Sequence, residues 1–274
     1  MTDGAYDDEV RFRVEDSGVA WITLNRPEKG NAIAPPNRDR IISLLNGVSG
    51  DASVRAVVIT GTGDRHFSTG GDLRHPDAFI PADAPPRPVG DVVRLISHGV
   101  QRLMVSVLDC DKPVIAAVNG TAAGIGAHLA FACDLVVAAD DTRFIELFVR
   151  RGLVPDGAGA YLLTRLIGAH QAKELLFFGD DLPAADAARL GLVNRLVPRA
   201  EVRDFAGAWA ERLATGPTVA IGLAKGLVNR ALDHGRTSAL RDEAMAVEIN
   251  SRSVDFDEGV GAFVNRRPVS FTGR

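Results

Sequence analysis

Short apolar runs alternate with amphipathic segments through the first 200 residues of the chain. Continuous apolar runs of strand length predict buried β-strands at 56–60, 113–118 and 135–139. Two more runs, at 11–15 and 19–25, flank Asp16-Ser17-Gly18, and a turn of this composition predicts a β-hairpin. Apolar residues at helical spacing follow the strands, as at 92–107. This alternation predicts an α/β fold.

The last quarter of the chain carries only the helical pattern. Helices are predicted at 202–214, 219–232, 238–250 and 255–265. Near the other end, Asn37 is predicted to cap a helix whose apolar face includes Ile41 and Leu45. We therefore divide the chain into an α/β part at 1–199 and a helical segment at 200–274.

A segment with five prolines, at 74–90, predicts irregular structure inside the α/β part. Irregular segments of this length are either functional lids or disordered chain. Two of its residues, His75 and Phe79, would then either cover a bound group or lie in a surface loop.

Composition and charge narrow the class of protein. The 274 residues are 46% apolar and 24% charged, with a net charge of −4, which is typical of a globular protein without a nucleic-acid partner. Cys110 and Cys133 form no CxxC pair, and the six histidines show no metal-ligand spacing. The acidic start of the chain is no signal peptide, and no apolar run can cross a bilayer. We expect a cytoplasmic protein with reduced cysteines, no metal and no membrane partner.

Two Gly-rich stretches follow predicted strands and precede predicted helices. One, at 119–134, contains three glycines, and the other is centred on Gly71. A helix start presents unpaired backbone N–H groups, so such a turn can hold negative charge. Two N–H groups from separate turns can stabilise a carbonyl oxygen that becomes negative during a reaction. The chain has no Walker A sequence, dinucleotide fingerprint or Gly-x-Ser-x-Gly motif, which argues against those sites.

Five motifs occur in order along nearly the whole chain. They are Ala32 after the loop 25–27, the run 67–73, the run 119–134, Gly152-Leu153-Val154-Pro155-Asp156, and the segment from Glu258-Gly259 to Arg267-Pro268. In this order and spacing the chain resembles the crotonase superfamily, the enoyl-CoA hydratase/isomerase family. The resemblance implies a spiral of ββα units with a C-terminal helical trimerisation segment. It also implies a homotrimer or a dimer of trimers.

The resemblance further implies an acyl-CoA thioester substrate. No separate cofactor is expected, since coenzyme A is part of that substrate. The thioester oxygen would lie between the backbone N–H groups of Gly71 and Ile125, and Asp72 and Leu73 would flank the CoA arm. Residues expected near the adenine and the phosphates are Arg26 and, from a neighbouring subunit, Phe263 and Arg266.

The chain departs from the family pattern where hydratases carry two water-activating glutamates. The first aligns with His128 and the second with Phe148, whose ring cannot take a proton and is expected to line the pocket. Asp156 resembles the acid of the single-Asp isomerase and dehalogenase branches, and its motif is most similar to epoxyphenylacetyl-CoA isomerases. We therefore predict Asp156 and His128 as catalytic residues, with double-bond isomerisation or a related rearrangement as the reaction.

Several alternatives remain open. The chain could be a hydratase in which His128 and Asp156 share the water, or an acyl-CoA binder without activity. Asp156 could instead cap the helix predicted to follow it, and His128 could be an ordinary buried helix residue. Glu146, two positions from Phe148, is either a displaced catalytic acid or an ordinary surface or ion-paired glutamate.

Overall fold

The computed structural model of the chain describes residues 7–75 and 88–274. The segment 76–87 lies outside the described residues, so the predictions for Phe79 and most of the Pro-rich stretch stay predictions. No helix in the described ranges is long and apolar enough to cross a membrane.

The strands, in chain order, are β1 (Val10–Val14), β2 (Val19–Leu24), β3 (Ala56–Gly61), β4 (His66–Ser68), β5 (Val114–Val118), β6 (Thr121–Ala123), β7 (Leu135–Ala139), β8 (Arg143–Ile145), β9 (Asp181–Pro183) and β10 (Arg195–Val197). The helices are α1 (Pro35–Gly50), α2 (Asp91–Leu95), α3 (Gln101–Leu108), α4 (Ile125–Ala132), α5 (Gly159–Phe178), α6 (Ala184–Arg189), α7 (Val202–Ala214), α8 (Thr218–Ala231), α9 (Arg236–Asn250) and α10 (Val254–Val264). A π-helical turn, Ile96–Val100, joins α2 to α3.

Six strands form the main sheet in the order β1-β2-β3-β5-β7-β10. The β1–β2 pair is the predicted antiparallel hairpin, with Gly18 at φ 83° in its turn, and the other neighbours are parallel. The central strands are buried on both faces, which explains their continuous apolar sequences.

A second, smaller sheet has the order β4-β6-β8-β9. Each of β4, β6 and β8 follows a strand of the main sheet, namely β3, β5 and β7. After β6 and β8 the chain enters α4 and, through a short 3-10 turn, α5. The chain thus repeats two strands and a helix, as the predicted spiral of ββα units requires.

Two apolar clusters cover the two faces of the main sheet. Alternate residues of β3 point to opposite sides: Val57 and Ile59 join one cluster, and Ala56 and Val58 join the other. The first cluster also contains residues of α1, α3 and α4, whereas the second is closed by α7. The division of the chain at 199/200 stays a prediction, and α7, which follows it, packs directly on the sheet.

The prediction for Asn37 was wrong in position. Helix α1 begins at Pro35, and its N-cap residue is Ala34, three positions before Asn37. The Asn37 carboxamide accepts a hydrogen bond from the Ala34 N–H from inside the first turn. Proline is tolerated at the first helical positions because its missing N–H would be unpaired there in any case.

Candidate active site

The turn after β4 brings one backbone N–H group to the surface of a cleft. A parallel bridge joins Ile33 to Gly71, in which the Ile33 N–H donates to the Gly70 oxygen and the Ile33 oxygen accepts from the Asp72 N–H. Since both bonds use the neighbours of Gly71, its own N–H points away from Ile33. In the described part of the chain, this N–H has no protein acceptor.

The turn after β6 presents the second N–H group. Gly124, at φ 53°, turns the chain into α4, so that Ile125 is the first residue of the helix. The N–H of a first helical residue has no acceptor within its own helix. Ile125 also finds none elsewhere in the residues that the structure describes.

Glycines bring these two turns into contact. A Cβ on Gly70, which has φ 95°, would lie 2.7 Å from the Ala123 oxygen and 3.5 Å from the Ile125 nitrogen. A Cβ on Gly126 would lie 2.7 Å from the Cβ of Ser68. Only residues without a side chain allow this approach. The structure therefore brings Gly71 and Ile125 to the walls of the same cleft.

The cleft between the two turns is mainly apolar and has few polar groups. Its apolar walls come from Ile33, Pro35, Leu73, Leu95, Ile96, Val100, Leu147, Phe148 and Leu153. Its charged residues are Arg38, Asp72, Arg151 and Asp156. Phe148 is one of the residues in the wall of the cleft and is 5% exposed. Such a cleft suits an apolar group with one polar end.

Asp156 is a carboxyl group on the wall of this cleft, in the turn before α5. Its Oδ1 atom is buried and has no hydrogen-bond partner in the part of the chain that the structure describes. Burial raises the pKa of Asp156, and the nearby His128 opposes that rise only in part. Helix α5 has Ala158 as its N-cap residue and no side-chain cap, so Asp156 does not act as a cap. A carboxyl group of this kind is a candidate base.

His128, on α4, lies behind the cleft rather than in its wall. Its side chain is fully buried, and its Nε2 atom is 2.8 Å from Oε2 of Glu146. The ring stacks on Phe148 with centroids 5.2 Å apart. A Cβ on Gly159 would collide with the ring, so the start of α5 lies directly against it. Glu146 is 4% exposed and is thus no surface glutamate.

Arg26 is a buried residue whose guanidinium is occupied by protein groups. It donates to Oδ2 of Asp72 at 2.9 Å and to the Ala32 oxygen at 2.7 Å, and its Nε lies 3.4 Å from Oε2 of Glu9. Burial raises the pKa of Asp72, but the Arg26 and Arg74 hydrogen bonds and the charges of Arg26 and Lys29 lower it further, so the net pKa falls. Asp72 is therefore held as a carboxylate beside the cleft.

A polar depression adjoins the cleft at Gly71, Asp72 and Leu73. Besides Arg26, its basic lining residues are Lys29, Arg65, Arg74 and Arg151. His66 also lines it, and burial, helped by the charges of Arg65 and Arg143, lowers the pKa of this histidine. Sequence reasoning missed this group, because its members are scattered along the chain. The one local signal is Arg65-His66, which comes directly before the run 67–73.

The remaining predicted site residues lie elsewhere on this chain. Phe263, on α10, is 86% exposed, and Arg266 follows that helix with φ 51°. Neither is among the described residues that line the cleft or the depression. In the described ranges no group of three or more His, Cys, Asp or Glu side chains could hold a metal ion.

The family of the chain follows from comparison with known proteins. The model of the family described as enoyl-CoA hydratase/isomerase matches residues 14–274. The chain belongs to the enoyl-CoA hydratase/isomerase family. This confirms the predicted family, and the fold agrees with it as well. The crystal structure of an enoyl-CoA hydratase from Bacillus anthracis superposes with a TM-score of 0.87 at 28% identity, covering 97% of this chain and 100% of that one.

Relatives within the enoyl-CoA hydratase/isomerase family carry different activities in their names. A "Probable enoyl-CoA hydratase" of Rhodobacter capsulatus is 36% identical over 97% of this chain and 98% of its own. The 1,2-epoxyphenylacetyl-CoA isomerase of Escherichia coli is 35% identical over 94% of this chain and 97% of its own. Similar identity to a hydratase and an isomerase means that family membership alone does not choose between the two reactions.

Proposed function

We propose that this enoyl-CoA hydratase/isomerase family member is an isomerase-type enzyme that moves a proton between carbons of an acyl-CoA thioester. The main observation behind this proposal is the Asp156 carboxyl group in the wall of an apolar cleft, with one buried oxygen that has no hydrogen-bond partner within residues 7–75 and 88–274. A base held in this way can accept a proton from a bound carbon acid.

The backbone half of the proposed mechanism is the pair of N–H groups at Gly71 and Ile125. They donate hydrogen bonds to the thioester oxygen between them. These bonds stabilise the negative charge that the oxygen gains when the acyl carbon loses a proton. Asp156 takes that proton, and the C–H electron pair moves into the enolate. Return of the proton to a different carbon completes the isomerisation. The steps use only residues of this chain and the thioester.

The substrate's remaining parts are assigned to the neighbouring surfaces. The apolar walls, with Phe148, take the acyl group. The basic depression, next to Asp72 and Leu73, suits the phosphates of the CoA arm, because Lys29, Arg65, Arg74 and Arg151 supply positive charge there. Arg26 acts by holding Asp72 and its loop, since its two terminal nitrogens already donate to the Ala32 oxygen and to Asp72.

The helical segment is proposed to carry the subunit contacts of a homotrimer or a dimer of trimers. Its surface exposes large apolar residues on α8, α9 and α10, among them Val228, Val247, Ile249, Phe263 and Val264. Exposed apolar surface on this scale is typical of a protein interface. Phe263 and Arg266 would then reach a CoA site on a neighbouring subunit.

The hydratase alternative has less support. Water addition needs groups that hold and activate water in the cleft, and the site where the family places the second glutamate is the apolar Phe148. His128 does not line the cleft, and its Nε2 is engaged with Glu146. The remaining alternative, a binder without activity, predicts that Asp156 can be replaced without consequence.

The experiment that tests the proposal compares wild type and Asp156→Asn on crotonyl-CoA, a 3-enoyl-CoA and a dienoyl-CoA, with a binding titration for each. We expect the wild type to isomerise the 3-enoyl-CoA or the dienoyl-CoA rather than hydrate crotonyl-CoA. The variant should lose on the order of 10²–10⁴ in kcat and still bind. Because burial raises the pKa of Asp156, the acid limb of the wild-type pH profile should lie above the usual range of an aspartate. Unchanged turnover in the variant would contradict the proposal. Binding without turnover by the wild type would instead favour an acyl-CoA binder without activity.

A further inference from the structure

Three buried polar atoms at and behind the proposed base have no hydrogen-bond partner among the described residues. They are Oδ1 of Asp156, Nδ1 of His128 and Oε1 of Glu146. Leaving a buried polar group unpaired costs about 1–3 kcal/mol, and proteins rarely leave three in one place without a function. The proposed chemistry uses only the first of these atoms.

The three side chains form a row. The Nε2 atom of His128 lies 2.8 Å from Oε2 of Glu146, so one nitrogen of the ring is committed to the glutamate. The other nitrogen, Nδ1, faces the turn that carries Asp156: a Cβ on the adjacent Gly157 would lie 3.5 Å from it. Asp156 is near enough to His128 for the ring to influence the pKa of its carboxyl group.

The ring has no freedom to turn away from this arrangement. Phe148 stacks on one face at an interplanar angle of 13°, and the backbone of Gly159 presses against Nε2 and the neighbouring carbon. The two carboxyl groups are the charged groups that face the ring, Glu146 from the position directly after β8 and Asp156 from the turn before α5. The ion pairs and hydrogen bonds of the described residues give His128 no other charged partner.

Glu146 decides which nitrogen of a neutral His128 carries the proton. An ionised carboxylate only accepts hydrogen bonds, so Nε2 must be the protonated nitrogen that donates to it. Nδ1 is then bare and can accept one hydrogen bond. An Asp156 carboxylate has no proton to donate to Nδ1, which agrees with the two atoms being unpaired in this state of the protein.

We propose that Glu146 is a positioning residue: it fixes the Nε2–H form of His128, so that Nδ1 accepts a hydrogen bond from Asp156 after Asp156 has taken the substrate's proton. This inference rests on the proposed role of Asp156 as the base. It assigns His128 a part beside the base rather than at the substrate.

The proton balance is simple. Before the step, Glu146 and Asp156 are negative and His128 is neutral. The substrate C–H bond breaks, its electron pair enters the enolate, and the proton forms the O–H bond of Asp156. That O–H then donates to Nδ1, which stabilises the protonated acid and makes Asp156 a stronger base. When the proton returns to carbon, the O–H bond breaks and the row regains its starting charges.

The first test is Glu146→Gln, measured as the rate at which the enzyme exchanges deuterium from D₂O into a 3-enoyl-CoA. Glutamine has nearly the same size, but its amide can also donate to Nε2, so the ring is free to carry its proton on Nδ1. A proton on Nδ1 would stabilise the Asp156 carboxylate and weaken the base. We expect kcat to fall by about tenfold or more, less than the 10²–10⁴-fold ascribed to the base itself. KM should stay unchanged, and the acid limb should move to lower pH.

The matched control is Glu174→Gln, the same substitution at an exposed position of α5. It should leave kcat, KM and the pH profile unchanged. If Glu146→Gln folds and keeps both the wild-type kcat and the wild-type acid limb while Asp156→Asn is inactive, the inference about Glu146 fails and the proposed function stands. If Asp156→Asn is fully active, the proposed function itself fails.

A second measurement needs no folded Glu146 variant and no substrate. The ¹⁵N chemical shifts of the imidazole nitrogens of the wild-type protein report which nitrogen is protonated, and the signal of His128 is the one missing from His128→Asn. We expect Nε2 protonated and Nδ1 bare at neutral pH. A proton on Nδ1, in the other neutral form or in an imidazolium, would overturn the inference.

Discussion

Two buried acid–base clusters in this protein are built from similar groups and differ in one respect. Asp134 accepts hydrogen bonds on Oδ2 from the Val114 N–H at 2.7 Å and from the Lys225 ammonium at 2.9 Å. The ammonium also donates to the backbone oxygens of Val107 and Lys112. Within the described residues this cluster leaves no buried side-chain polar atom unpaired, whereas Asp156, His128 and Glu146 each leave one.

This difference separates a cluster that stabilises the fold from one that is proposed to take part in the reaction. Burial raises the pKa of both Asp134 and Asp156. The ammonium of Lys225 compensates Asp134, and the pair fastens α8 to the start of β5. Asp156 has no such partner and faces a cleft. Burial and a raised pKa are therefore shared by the two sites, and the unpaired atoms are what distinguish the proposed base.

The largest expected effect on stability comes from breaking the ion pair between Asp134 and Lys225. Lys225→Met should destabilise the protein by about 3–5 kcal/mol, because it leaves the Asp134 carboxylate buried without its counter-charge. Urea unfolding at neutral pH measures the loss. The loss should shrink at acid pH, where Asp134 is protonated. A loss that is small, or the same at both pH values, would mean that the pair is not structural.

A smaller loss of stability is expected from crowding the cluster of Asp156, His128 and Glu146. Gly159→Ala places a Cβ against the His128 ring, and such overpacking typically costs about 1–3 kcal/mol. The displaced ring should lose Glu146 and lower kcat. Gly47→Ala is the control, since a Cβ there meets nothing within 4 Å. Equal activity of Gly159→Ala and the control would show that the position of the ring does not matter to the reaction.

The smallest effect has the opposite sign. A raised pKa means that the fold favours the protonated form of Asp156, so its carboxylate costs stability above the ordinary aspartate pKa. That cost grows as the pH rises from the ordinary pKa to the raised one, and it stays constant above the raised pKa. Asp156→Asn should therefore melt at a higher temperature than wild type at neutral pH and at the same temperature at strongly acid pH. A neutral-pH Tm below that of wild type would place Asp156 with the structural cluster.

The two backbone turns of the candidate site could be predicted from the sequence. The turns at Gly71 and Ile125 depend on local features, a glycine run after a strand and a helix start, and local features are legible in one sequence. The strands were predictable for the same reason, since runs such as 56–60 are buried along their whole length.

The side-chain half could not be predicted in full. The bond between His128 and Glu146 joins residues 18 positions apart, and it depends on the packing of α4 against β8. The sequence placed Glu146 near the site but could not tell that its carboxylate points inward. For Arg26, the sequence shows a cation in the loop 25–27 but not the carboxylates of Glu9 and Asp72 that pair with it.

The most direct test of the account follows carbon-bound hydrogen itself. Wild type, Asp156→Asn and Asp134→Asn are incubated with a 3-enoyl-CoA in D₂O, and deuterium in the acyl group is measured against time. We predict exchange by the wild type, exchange by Asp134→Asn in whatever fraction remains folded, and a loss on the order of 10² or more in Asp156→Asn with binding intact. Exchange by Asp156→Asn at the wild-type rate would contradict the central claim that this unpaired carboxyl group is the base.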